Sequence, residues 1–166
     1  MAERQEQTAP DAVLTRIGQV VMLHHAGDRE EARHRFLGLW AELGEHGDPL
    51  HRCTLAHYLA DTQDDPADEL AWDLRALTAA EEARQQALAV TAVIALSPSL
   101  HLNLADDYIR LDRRDAARTH LRWAREAALA LADDSYGEGV WAAIGRLESR
   151  LGEDGPGAWT PPRQRP

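Results

Sequence analysis

Apolar residues along this chain return at steps of three and four. Ala32, Phe36, Leu39 and Leu43 recur at steps of 4, 3 and 4. Ala117, Leu121, Ala124, Ala128 and Leu131 repeat the spacing, and Tyr136, Val140, Ile144, Leu147 and Leu151 form a third stripe. Such spacing places one apolar face on a helix of about 3.6 residues per turn. No stretch alternates with a period of two between turn residues, as a hairpin of strands would. The pattern predicts an all-α fold.

Helix punctuation supports it. Thr8 is the expected cap of a first helix, with Pro10 in its first turn, Asp11 three residues after the cap and Gly27 at its end. Asp28, with Glu31 three residues on, opens a second helix that runs to about Gly44. The pairs Asp48-Pro49, Asp65-Pro66 and Ser97-Pro98 open a third, fourth and fifth helix. Proline costs nothing at a first helical position, whose N–H has no partner inside the helix. Asp112 with Asp115 opens a sixth, and Ser135 with Glu138 opens a seventh that Gly152 terminates. Residues 78–96 contain no Gly or Pro. They read equally as a continuation of the fourth helix or as a new helix capped by Thr78 and Glu81. The expected organisation is a flexible segment over 1–9, a helical domain over 10–151 and a disordered tail over 152–166. Trp159 is the one tail residue expected to dock.

A repeat underlies the helices. Gly27–Phe36 aligns with Asp112–Leu121 at an offset of 85 residues, close to two units of about 42. Each copy has a tight turn, acidic residues, a small Ala and a large apolar residue four positions later. The small Ala lets two helices of a hairpin approach, and the large residue fills the space beside it. Leu104, Ala105 and Tyr108, then Ala117 and Leu121, resemble a tetratricopeptide repeat. Val20, Leu23, Ala32 and Phe36 follow the same pattern in a first unit, and Leu55, Ala56 and Leu59 in a middle one with a longer turn over 63–65. The resemblance spans roughly residues 10–131. It implies three antiparallel helical hairpins stacked as a short right-handed superhelix, about seven helices in all, with 135–151 as a capping helix.

Composition narrows the function. Ala and Leu dominate a chain of 166 residues, enough for one domain with a real core. The formal net charge is −10, and all 18 basic residues are Arg, interleaved with acids. Without a basic stripe to neutralise phosphates, neither nucleic acid nor an anionic membrane is an expected partner. Acidity of this size favours neutral or basic partner surfaces. No segment approaches 18 uninterrupted apolar residues. Cys53 is the only cysteine, so folding needs no oxidising compartment and a cytoplasmic location is expected.

Catalytic signals are sparse. Glycine-rich phosphate loops, zinc-protease helices and nucleophile elbows are missing. Cys53, His57 and Asp61 form a ridge at i, i+4 and i+8. It reads either as a half-buried helix face or, less favourably, as a thiolate–imidazole pair or part of a metal site. Glu31 and His34 match one half of a bundle metal motif whose second half is missing. His24 and His25 are adjacent and point about 100° apart. The expectation is no catalysis, no cofactor and no metal. Trp40, Trp72, Trp123 and Trp141 fall in helices and are expected to pack between units, with one or two available to a partner.

The resemblance implies a groove lined by the first helix of each hairpin. Leu14, Ile17, Val21, His24 and His25 would come from the first, and Leu50, Cys53, His57 and Asp61 from the second. Ser99, Leu102, Asn103, Asp106 and Arg110 would come from the third. Asn103 stands where some family members hold a ligand's backbone or terminal carboxylate, but the lysines of such a clamp are missing. The function this implies is a scaffold or adaptor that binds a protein or peptide. The alternatives are a homo-oligomeric structural domain and, third, a small helical metal protein or enzyme.

Overall fold

The computed structural model describes residues 11–88 and 90–153. Within them the backbone forms seven α-helices: α1 Ala12–His25, α2 Arg29–Leu43, α3 Pro49–Asp61, α4 Pro66–Gln85, α5 Val90–Arg110, α6 Arg114–Ala128 and α7 Ser135–Glu153. No strand occurs among the described residues, and none of these helices is long and apolar enough to cross a membrane. Thr8, Pro10, the 1–9 segment and Trp159 lie outside the described residues. The tail expected from 152 starts inside α7, which continues to Glu153, and its remainder also lies outside.

Three helix starts follow the sequence. Asp28 accepts from the Glu31 amide at 3.4 Å. Asp48 accepts from the Leu50 and His51 amides at 2.8 and 3.3 Å, and Asp65 from the Ala67 amide at 2.7 Å. Each side chain supplies an acceptor that the first turn lacks. Elsewhere the expectation fails. α1 is capped by Asp11, whose carboxylate accepts from Val13 and Leu14. α7 is anchored by Asp134, which accepts from the Gly137 amide at 2.9 Å, and not by Ser135. A Cβ on Gly137 would stand 2.4 Å from the Ala132 carbonyl oxygen, so only glycine fits there. α6 is preceded by Arg113, which makes no side-chain cap, and Asp112 turns left-handed at φ 58° after α5.

The ambiguous stretch resolves in a third way. α4 continues through Thr78, whose hydroxyl donates to the Leu74 carbonyl inside the helix instead of capping a new one. The chain breaks after Gln85, and α5 begins at Val90, not at Ser97. Pro98 therefore lies inside α5, fully buried, where its ring removes one backbone donor. Burial of the apolar face carries the helix through it.

The two aligned turns share one geometry. Gly27 and Asp112 have φ of 99° and 58°, and the residues after them, Asp28 and Arg113, have (φ, ψ) of (−90°, 69°) and (−99°, 68°). Asp28 N–H reaches the Leu23 carbonyl and Arg113 N–H the Tyr108 carbonyl, five residues back in each case. Ala32 and Ala117 are both fully buried where their helices cross. The longer α3–α4 turn is held from α2, where Arg29 and Arg33 each donate to the Thr62 carbonyl at 3.2 Å.

Each helix packs on the next, and α1 also meets α3 and α5 also meets α7. Three apolar clusters result. Ile17, Phe36 and Leu59 belong to the first, Cys53, Ala76 and Leu100 to the second, and Leu102, Leu121 and Ile144 to the third. α3 and α5 each serve two clusters from two faces, so the core passes along the chain one hairpin at a time. Trp40 and Trp72 meet edge to face at 5.1 Å and pack against both the first and second clusters.

Candidate functional site

A buried acidic centre lies where α4 packs on α5. α4 buries Leu70, Asp73, Ala76, Ala80 and Ala83, an apolar stripe interrupted by one carboxylate. α5 does the same with Leu100, Leu104 and Asp107. The two stripes face each other, so the two acids meet. Glu69 lies one turn before Asp73 and joins them. Oxygens of Glu69, Asp73 and Asp107 all lie within 4.8 Å of one another. Asp73 and Asp107 are each only 1% exposed.

Arg110 answers part of this charge. It pairs with Glu69, with Asp107 Oδ1 at 2.9 Å and with Asp106 at 3.3 Å. Arg150 from α7 pairs with the other side of Asp106. Three buried acceptors remain without a hydrogen-bond partner: both Asp73 oxygens and Asp107 Oδ2. Burial raises the Asp73 carboxyl far above the ordinary carboxylate range, helped by the charge of Asp107, by a hydrogen bond to Asp107 once a proton lies between the two, and by the charges of Asp61 and Glu69. Burial also raises Asp107, against the pull of Arg110.

The exposed rim of this centre contains five of the predicted groove residues. Asn103 donates to His57 Nδ1 at 3.1 Å and ties α5 to α3. Asp61 ends α3 and is exposed, Asp106 is half-buried, and Arg110 is at the end of α5. Burial lowers the His57 imidazole below its ordinary value despite the nearby Asp61 charge, which favours the neutral ring that Asn103 addresses.

The other predicted residues are placed differently. Ile17, Cys53 and Leu102 are 1%, 1% and 8% exposed and belong to the core. Leu14, Val21, Leu50, His24 and Ser99 are half-buried and His25 is exposed. Ser99 Oγ meets the Tyr136 hydroxyl at 2.8 Å, joining α5 to α7. The Cys53 thiol is pushed up to about 12 by burial, so it stays protonated at neutral pH and is no attacking thiolate. Glu31 pairs with Arg35 at 2.7 Å on a solvated face beside exposed His34.

Sequence reasoning missed Glu69, Asp73 and Asp107. Their signal was present: an Asp at a buried step of an otherwise apolar stripe, once in α4 and once in α5. It missed a second feature too. A cleft of about 560 Å³ opens between α4, α5 and α6, lined by Leu77, Glu81, Glu82, His101 and Trp123 among others. His101 and His120 meet through their Nδ1 atoms at 3.1 Å, and the Trp123 ring stands edge-on to both. Burial and the neighbouring His120 push His101 down to about 4.

No family model, curated protein or solved structure matches the chain.

Proposed function

We propose that this chain is a non-catalytic binding module of the tetratricopeptide-like type, a scaffold or adaptor that holds a basic, extended peptide segment of a partner protein. The observation that carries the reading is the polar rim that α3 and α5 build together. Two predicted groove residues from different hairpins, His57 and Asn103, are already joined there, with Asp61 and Asp106 beside them. Such a surface offers hydrogen-bonding groups for a peptide backbone and carboxylates for cationic side chains. Asp61 has no ion-pair partner among the described residues and is the carboxylate most open to one. The chain's net charge of −10 adds long-range attraction for the same partner. The lone buried cysteine fits a cytoplasmic setting.

A peptide array probed with the full chain tests this. Bound sequences should be enriched in Lys and Arg, and their affinity should fall as salt rises. Asp61→Lys should weaken binding at least tenfold while helicity stays unchanged. Binding with no charge preference, or binding indifferent to Asp61→Lys, overturns the reading.

A second reading, self-association, draws on Leu88, Val90 and Ile94, which are 40%, 41% and 46% exposed at the start of α5. A mass that grows with concentration, with no peptide bound, would favour it.

A further inference from the structure

We propose that Glu69, Asp73 and Asp107 form a binding site for a hard divalent cation of the calcium or manganese class at the joint between α4 and α5. The donors are all carboxylate oxygens, which select hard cations over zinc or copper. Calcium lies about 2.3–2.6 Å from its oxygen ligands. Oxygens no more than 4.8 Å apart leave a central point within about 2.8 Å of all three, which small side-chain shifts bring into that range. Both partners are helices of 20 residues or more, so the donors sit on rigid elements.

The unpartnered atoms point to a ligand. Asp73 is 1% exposed, and neither of its oxygens has a hydrogen-bond partner, nor does Asp107 Oδ2. A buried carboxylate left without a compensating partner is strongly disfavoured. A single shared proton would join one Asp73 oxygen to Asp107 Oδ2 and leave the other Asp73 oxygen unmet. A cation held by both Asp73 oxygens and by Asp107 Oδ2 leaves none. With the ion bound and all three acids ionised the charge also closes: three carboxylates against the Arg110 guanidinium leave −2, which one divalent ion neutralises. Arg110 holds Asp107 Oδ1 and leaves the buried Oδ2 for another partner. Glu69 is half-buried and leaves a side from which water can complete the coordination.

Such an ion would bind α4 of the second hairpin to α5 of the third, beneath the rim of His57 and Asn103. It is independent of the peptide reading, since its ligands are not the rim residues.

The test is isothermal titration of the chelator-stripped full chain with calcium chloride and with manganese chloride. One ion should bind per chain, with a dissociation constant below about 1 mM. Asp73→Asn and Glu69→Gln should each weaken binding at least tenfold, while Asp133→Asn, in the exposed α6–α7 turn, stays within twofold of the parent. Glu69 is the less buried ligand, so its variant carries the result if Asp73→Asn does not fold. Heat of dilution alone, or wild-type affinity in folded Glu69→Gln, overturns the site and leaves a shared proton as the resolution of these acids.

Discussion

Ala87 closes α4 with φ 53°, in the left-handed region where a Cβ is crowded by the next carbonyl. The Leu88 amide then reaches the Ala83 carbonyl at 2.9 Å, the same five-residue return made after Gly27 and Asp112. Only one of the three turns uses glycine, so strain is stored at the other two. Ala87→Gly should raise stability by about 1 kcal/mol, relief of strain exceeding the extra chain entropy of glycine. Chemical denaturation with an unchanged slope checks it, and a loss of stability would show that the turn is unstrained. None of this is legible from residue type. The sequence shows a turn at each point, but only the backbone shows that Ala87 and Asp112 take up the conformation glycine favours.

At the scale of elements, the hairpin crossing is the unit that repeats. Ala32 and Ala117 are both 0% exposed at equivalent steps of α2 and α6, and Phe36 and Leu121 fill the space one turn on. A larger side chain at either Ala would hold two helices apart. Ala32→Leu and Ala117→Leu should each destabilise the chain by about 1–3 kcal/mol, in the range of core overpacking. Thermal unfolding reads this out, and a neutral result in both would mean that the small residue does not set the approach. The stripes, three of the seven caps and the alignment of the two turns were readable in advance, because amphipathic spacing and capping are local. The helix boundary at 86–89 was not. Thr78 and Ser97-Pro98 both carry the composition of a helix start, yet burial of Ala76, Ala79, Ala80 and Ala83 and of Val93 draws the helices past those signals. Tertiary burial outweighs a local start signal worth about 1 kcal/mol.

Across the whole molecule, three histidines buried by folding contribute to the response to acid. His57, His101 and His120 are all shifted below the ordinary imidazole value by burial, and His101 falls to about 4. At these three sites the unfolded chain binds more protons than the folded one between about pH 6.5 and 4, so their contribution to stability is full above this window and falls as pH drops through it, while the raised carboxyls of Asp73 and Asp107 contribute with the opposite sign. Relative to the parent, His101→Gln should lose less melting temperature, or gain more, as pH drops over that range. An identical pH profile in the variant would assign the acid response to other groups. The sequence by itself determined the helical class, the spacing of the buried stripes and the acidic balance, because periodicity and charge are properties of neighbouring positions. Only the tertiary structure decided that Ile17, Cys53 and Leu102 turn inward, that α5 starts before its proline, and that Glu69, Asp73 and Asp107 converge. Those outcomes depend on which face of one helix meets which face of another, and residues far apart in the chain acquire a shared environment only when that packing is complete.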